Sequence, residues 1–85
     1  MPPSKELLAS IIRMIVLKPE MVEVSFNETE HSVTAEVKVG AGDFGQVLGR
    51  SGNTAAAIRK LFGIGYGKIG KSFYMHIVDP RAKDN

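Results

Sequence analysis

The sequence contains no cysteine among its 85 residues, and its uninterrupted apolar runs are short. The absence of cysteine excludes disulfide bonds, zinc–thiolate sites and thiol catalysis, and it fits a reducing cytoplasm. The longest apolar runs, residues 14–17 and 55–58, fall far short of the roughly 20 residues that span a bilayer. The first residues lack the basic start and long apolar stretch of a signal peptide, so we expect a cytoplasmic protein with no membrane partner.

The residues that are present have the balance of one small globular domain. Hydrophobic residues make up 44% of the chain and charged residues 24%, which is ordinary for a soluble protein. We expect a single domain over residues 1–85, with an ordered core over about residues 4–79 and a polar tail over residues 80–85.

The net charge of +2 is distributed unevenly along the chain. Residues 1–43 carry four basic and seven acidic side chains, whereas residues 44–85 carry seven basic and two acidic ones. The second half is therefore a candidate surface for a polyanion. The alternative is a solvated basic face that has no partner.

Hydrophobic periodicity predicts a helix followed by two strands. The helix begins after Ser4, a suitable N-cap, and ends before Pro19. Its apolar residues recur at helical spacing and form one stripe: Leu7, Leu8, Ile11, Ile12 and Ile15. Strict alternation of apolar and polar residues then predicts half-buried antiparallel strands over residues 22–26 and 33–39, joined by a polar turn.

The rest of the chain predicts two helices and a last strand. The helices cover residues 43–48 and 53–61, and residues 63–70 form a loose glycine-rich connection. The final strand covers residues 72–78, with Phe73, Met75 and Ile77 on one face. Three strands backed by three helices give an α+β fold, a sandwich of two layers.

Two stretches match the dinucleotide-binding pattern G-x-G-x-x-G, over residues 40–45 and 65–70. The helix behind the first match is broken by Gly49 and Gly52, and no acidic residue follows at the distance where one would bind the ribose. The second match leads into a strand, so no helix N-terminus is available for a pyrophosphate. We therefore expect no nucleotide cofactor.

The more informative motif is a glycine-flanked turn between two helices, Gly49-Arg50-Ser51-Gly52. Glycine allows a bound backbone to approach closely and permits positive φ. The following helix begins with unpaired N–H groups and the positive end of its dipole, and Arg50 adds a full charge. Such a loop can hold a phosphodiester. The alternative is a corner between helices that needs glycine only for tight packing.

Together with the element order, this motif resembles the type II KH domain, a module that binds single-stranded RNA and DNA through a GxxG loop. The similarity centres on residues 47–52 and continues through Ala57-Ile58-Arg59. Over about residues 4–79 the chain is similar to small stand-alone bacterial KH proteins of the KhpA type. Two features depart from the pattern: Ala55 replaces a large aliphatic residue, and residues 63–70 are unusually rich in glycine.

The resemblance implies an RNA-binding site. Gly49, Arg50, Ser51 and Gly52 would contact the sugar-phosphate backbone, and an apolar groove for bases would be lined by Val47, Leu48, Ala55 and Ile58. The strand over residues 33–39 would border that groove and read base edges through its backbone. A track of basic residues would extend the phosphate contacts: Arg59, Lys60, Lys68 and Lys71. Tyr66, Phe73 and Tyr74 could stack on bases, although core packing is the more common role of such residues.

We expect a protein that is not an enzyme and holds no metal. His31 and His76 lie far apart in the predicted fold, and Ser51 has no base beside it in the sequence.

A second function of a different class is a protein–protein adapter that keeps the KH fold. Apolar residues at the edge of the first helix and near it would supply its surface: Met1, Met14, Val16 and Met21. The resemblance implies a homodimer, a larger multi-domain KH protein as partner, and an RNA-chaperone role linked to cell elongation and division. A dimer would present two GxxG loops to one RNA and raise avidity. The absence of acidic residues inside the loop favours RNA binding over a purely adapter role.

Overall fold

The computed structural model describes residues 2–79, and its six main elements follow the predicted order. The helices are α1 (Lys5–Ile15), α2 (Phe44–Leu48) and α3 (Asn53–Gly67), and the strands are β1 (Glu23–Glu28), β2 (Ser32–Lys38) and β3 (Ser72–Ile77). Short 3-10 turns occupy Pro19–Met21, Ala41–Asp43 and Arg50–Gly52. Met1 and the predicted tail over residues 80–85 lie outside the described residues. Within residues 2–79, no helix has both the length and the apolar character needed to cross a membrane.

β2 is the central strand of a three-stranded mixed sheet. It pairs antiparallel with β1 and parallel with β3, and the parallel pair requires a crossover, which α2 and α3 provide. Along β2, buried and exposed residues alternate, with Val33, Ala35 and Val37 fully buried. One face of the sheet is therefore covered by helices and the other is open. This confirms the predicted two-layer α+β sandwich.

The first helix begins as its N-cap predicts. The Ser4 hydroxyl accepts a hydrogen bond from the Leu7 amide at 3.0 Å, and Leu8 and Ile12 are fully buried against the sheet. Leu7, although part of the predicted apolar stripe, is about half exposed. The helix therefore buries a narrower face than its periodicity indicates.

α3 is longer than the sequence predicts, and the prediction of a loose connection from residue 63 is wrong for its first part. The helix continues through Gly63 and Gly65 to Gly67, and the chain turns with positive φ only at Gly70. Packing explains the extension, because Phe62 and Tyr66 lie one turn apart and are both buried. Burial of these two rings outweighs the low helix propensity of glycine.

An aromatic cluster connects the end of α3 to the sheet. The Tyr66 and Phe73 rings stack with centroids 5.7 Å apart, and Phe26 meets both edge-on. The Tyr66 hydroxyl donates a hydrogen bond to the Pro3 carbonyl, and the Pro3 ring packs over Gly65. Tyr66 and Phe73 therefore have core roles, whereas Tyr74 lies exposed on the open face of the sheet.

Candidate nucleic-acid interface

The turn between α2 and α3 has the backbone conformation that its two glycines allow. The φ angle is +78° at Gly49, +55° at Ser51 and +76° at Gly52. Within the turn, the amide of Gly52 donates to the Gly49 carbonyl at 3.1 Å. Positive φ is rare for a residue with a side chain, so Ser51 adopts a conformation that the surrounding turn imposes.

The two glycines of the motif are required for different reasons. A Cβ atom at Gly49 would lie 2.2 Å from the Thr54 hydroxyl oxygen and 2.8 Å from the Thr54 amide nitrogen. At Gly52 a Cβ atom would meet nothing within 4 Å. Gly49 therefore allows the turn to pack against the first residues of α3. The open space at Gly52 leaves the backbone accessible to a ligand.

Positive charge at the turn is not neutralised by neighbouring side chains. Arg50 is exposed and forms no hydrogen bond or ion pair within residues 2–79, and neither does the Ser51 hydroxyl. Residues 44–78 contain no aspartate or glutamate at all. The start of α3 adds the positive end of a helix dipole, and its N-cap Gly52 supplies no side-chain acceptor. The turn is therefore an electropositive surface with an accessible backbone.

Asp43 is a buried structural residue whose role the sequence reasoning missed. It is only 2% exposed, and its carboxylate accepts hydrogen bonds from the amides of Leu17 and Lys18 at 2.9 and 3.0 Å. These contacts tie the end of α1 to the start of α2. The sequence shows only an acidic residue before a short helix, because its partners lie 26 and 25 residues away.

Three of the four residues predicted to line the apolar groove lie in the core. Val47 and Ala55 are fully buried and Ile58 is nearly so, whereas Leu48 is partly exposed. These three residues therefore belong to the core and do not line an exposed groove. The small volume of Ala55 suits this position, because the residue packs inside the core cluster.

β3, and not β2, offers a free strand edge beside α3, which corrects the expectation for residues 33–39. β2 has neighbours on both sides, so sheet pairing engages its backbone along both edges. β3 has a neighbour on one side only. α3 packs next to β3, and the Arg59 Nε donates to the Met75 carbonyl at 3.1 Å. We call the surface between α3 and the free edge of β3 the groove.

Small residues mark the side of α3 that follows this groove. Gly52, Ala56, Arg59 and Gly63 are spaced by four, three and four residues and so share one side of the helix. A Cβ atom at Gly63 would meet nothing within 4 Å. On this side of α3, Arg59 is therefore a long side chain among small residues.

The basic residues proposed as a phosphate track do not form a single line. Lys60 is exposed on α3. Lys68 follows the far end of that helix, about 22 Å from the turn at 1.5 Å per residue. Lys71 is engaged elsewhere, because its ammonium donates to the Glu28 carboxylate and to the Thr29 carbonyl. Of these four residues, Arg59 and Lys60 lie nearest the turn along the chain, and Arg50 lies within it.

The two histidines stay apart, as the sequence predicts. His31 pairs with Glu30 at 3.3 Å in the exposed turn between β1 and β2, and its carbonyl accepts from the Ser72 amide. His76 lies four residues after Ser72 on β3, which places it about 13 Å from Ser72 at strand spacing.

Comparisons with known proteins identify the family. A family model described as the KH domain of KhpA/KhpB matches residues 5–77. A curated relative, RNA-binding protein KhpA of Borreliella burgdorferi, is 34% identical over 74 residues, which cover 87% of this chain and 90% of the relative. RNA-binding protein KhpA of Listeria monocytogenes serovar 1/2a is 35% identical over 75 residues, which cover 88% and 99%. No solved structure gives a significant match.

Proposed function

Because the chain belongs to the KhpA/KhpB family of KH domains, we propose that it binds single-stranded RNA through the turn at residues 49–52. One observation carries the proposal: the turn combines positive φ at three positions with an open outer face at Gly52. The exposed guanidinium of Arg50 lies within the same turn. The curated relatives, which are named RNA-binding proteins, support RNA as the ligand.

Binding at the turn would rest on the nucleic-acid backbone. Phosphate oxygens would approach Gly52, where no side chain obstructs them, and would meet Arg50 and the N-terminal end of α3. Because these contacts do not depend on the 2′-hydroxyl, single-stranded DNA is a second expected ligand. The following nucleotides would continue along the groove between α3 and β3. No step in this interaction requires a catalytic group or a cofactor.

Affinity for RNA should be modest and should fall as salt is added. Arg50 and Lys60 are the exposed basic residues nearest the turn in sequence that have no partner within residues 2–79. Each neutralised phosphate contributes about −0.7 to the slope of log K against log salt for a single strand. Two contacts therefore give a slope of about −1.4.

A binding titration with short single-stranded RNA tests the site. The double variant Arg50→Asp, Ser51→Asp places two negative charges in the turn, and we expect it to lose binding. The matched control, Lys5→Asp with Ser10→Asp, makes the same change in charge on exposed residues of α1 and should bind like the wild type. Circular dichroism checks that both variants fold. Equal loss of binding in both would show that overall charge, and not the turn, governs the interaction.

The proposal includes self-association through a second surface. Leu61 and Ile64 share the outer side of α3 and are 64% and 57% exposed, and apolar exposure of this kind marks interaction sites. A homodimer would cover these residues and present two turns to one RNA. A larger multi-domain KH protein is the alternative occupant, and on that reading the protein is an adapter to which RNA binding is secondary.

The wider role rests on the family resemblance. As part of the proposal, the protein acts in the cytoplasm as a global RNA-binding protein or RNA chaperone linked to cell elongation and division. The Arg50→Asp, Ser51→Asp variant, in which the turn should no longer bind RNA, should then reproduce the cellular effect of deleting the gene. A variant that keeps normal cell length and division would contradict this link.

A further inference from the structure

Arg59 is held in place by the edge of β3. Its Nε donates to the Met75 carbonyl at 3.1 Å, and this bond is partly buried although the side chain as a whole is exposed. Met75 lies in the middle of β3, the edge strand. Since the guanidinium is planar and rigid, one fixed nitrogen restricts the orientation of the whole group.

The terminal nitrogens of Arg59 are available for a ligand. They form no hydrogen bond or ion pair within residues 2–79. When Nε is engaged, the end of the guanidinium still presents two parallel N–H donors, one from each terminal nitrogen. The group is therefore a bidentate donor whose position is set before any ligand arrives.

The position of Arg59 favours contact with a base over contact with the phosphate that binds the turn. Arg59 lies seven residues after Gly52 on the same side of α3, about 10 Å along the helix. Its bond to Met75 places it against the strand, whereas Lys60 lies about 100° farther around the helix axis. An RNA backbone held at the turn would direct its next bases toward Arg59.

We propose that Arg59 is a specificity-determining residue of the RNA site and that it selects a base carrying two adjacent acceptors. Guanine presents O6 and N7 in this way, and cytosine presents O2 and N3. In adenine and uracil each acceptor is flanked by a donor, so neither matches the fork. This inference rests on the proposed function, since it adds base preference to the same groove.

The test uses four RNA heptamers, UUUNUUU, in which N is A, C, G or U. The wild type should bind the C or G heptamer about tenfold more tightly than the A and U heptamers, in the range expected for one bidentate pair. The quantity compared is the ratio of the dissociation constants, so a difference in active protein concentration does not affect it.

Two variants separate the donor to Met75 from the donors to a base. Arg59→Gln places an amide nitrogen where Nε lies, so it keeps the bond to Met75 and loses the fork. Arg59→Lys keeps the charge and also loses the fork. In both variants the ratio should fall to about one, whereas the control Lys60→Gln should retain the ratio of the wild type.

Other outcomes overturn the proposal. Equal binding of all four heptamers by the wild type, with binding still lost in Arg50→Asp, Ser51→Asp, would reject base selection and leave the RNA site intact. If Arg59→Gln weakens all heptamers equally and reduces the salt slope by about 0.7, Arg59 contacts a phosphate. If the wild type binds none of the heptamers, the proposed function fails together with this inference.

Discussion

At the scale of single residues, the two glycines of the turn are identical in sequence and different in structure. Gly49 is enclosed by Thr54, whereas Gly52 borders open space. Both have φ near +77°, which favours glycine at either position. The structure therefore separates the steric requirement of folding from the accessibility required for binding.

This difference predicts unequal effects of alanine. Gly52→Ala should lower the free energy of unfolding by about 1 kcal/mol, from the left-handed backbone alone. Gly49→Ala should lower it by about 3 kcal/mol or more, because the clash with Thr54 adds to the backbone term. Urea denaturation measures both values. RNA binding should weaken in Gly52→Ala although it folds, and equal losses of stability would contradict the assigned geometry.

Tyr66 predicts how stability depends on alkaline pH. Burial raises the pKa of the Tyr66 hydroxyl above its usual value of 10.0, Glu28 raises it further, and Lys71 acts in the opposite direction. The folded state therefore favours the neutral phenol. Its contribution to stability is complete below pH 10 and is lost as pH rises through the folded-state pKa. Urea denaturation from pH 8 to 11 should show a steeper loss in the wild type than in Tyr66→Phe, and parallel curves would contradict this.

At the scale of elements, α3 shows what local sequence can and cannot predict. Ala55 and Ile58 correctly predict its first half, since alanine favours helix and the apolar spacing is helical. The second half contains Gly63 and Gly65, which predict a loop. It is helical because Phe62 and Tyr66 are buried and Pro3 packs over Gly65. The residues that cover this half of the helix, Pro3 and Phe26, are distant in the chain.

Two glycines of α3 provide a matched test of that explanation. Gly63 has open space where a Cβ atom would lie, so Gly63→Ala should stabilise the protein by about 0.5–1 kcal/mol. A Cβ atom at Gly65 would lie 2.6 Å from the Pro3 ring. Gly65→Ala should therefore displace Pro3 and destabilise the protein. Thermal unfolding of the two variants measures the difference, and a gain in stability in both would show that Pro3 does not pack against α3.

The site illustrates the same division between local and distant information. The GxxG motif predicts the turn because the conformation depends on Gly49 and Gly52 themselves. The sequence could not predict that β3 is the strand with a free edge next to α3. Apolar and polar residues alternate similarly in β2 and β3, and only the order of strands in the sheet shows which one is at the edge. Asp43 also escaped prediction, since its partners Leu17 and Lys18 lie in a distant segment.

At the scale of the whole molecule, the turn and the exposed apolar residues of α3 lie at different positions along the chain. Arg50 precedes the helix, and Leu61 and Ile64 lie in its second half. Self-association through Leu61 and Ile64 would therefore leave the turn accessible. A dimer that binds RNA with both turns would gain affinity without new contacts in either site.

Leu61→Lys tests self-association. The change places a charge in the exposed apolar surface of α3 and should make the protein monomeric at concentrations where the wild type forms the proposed dimer, as measured by sedimentation velocity. RNA affinity should fall with it, through loss of avidity. The control Tyr74→Lys alters an exposed residue on the open face of the sheet and should leave the oligomeric state unchanged. A wild type that is monomeric at all accessible concentrations would contradict the dimer.

The central claim is that RNA occupies the turn and the groove between α3 and β3. A titration of the ¹⁵N-labelled protein with short single-stranded RNA, followed by amide chemical shifts, tests it most directly. The largest changes should cluster at Gly49, Arg50, Ser51 and Gly52, continue through the first two turns of α3, and include Met75 on β3. Largest changes at Thr34, Glu36 and Lys38, on the open face of the sheet, would contradict the account.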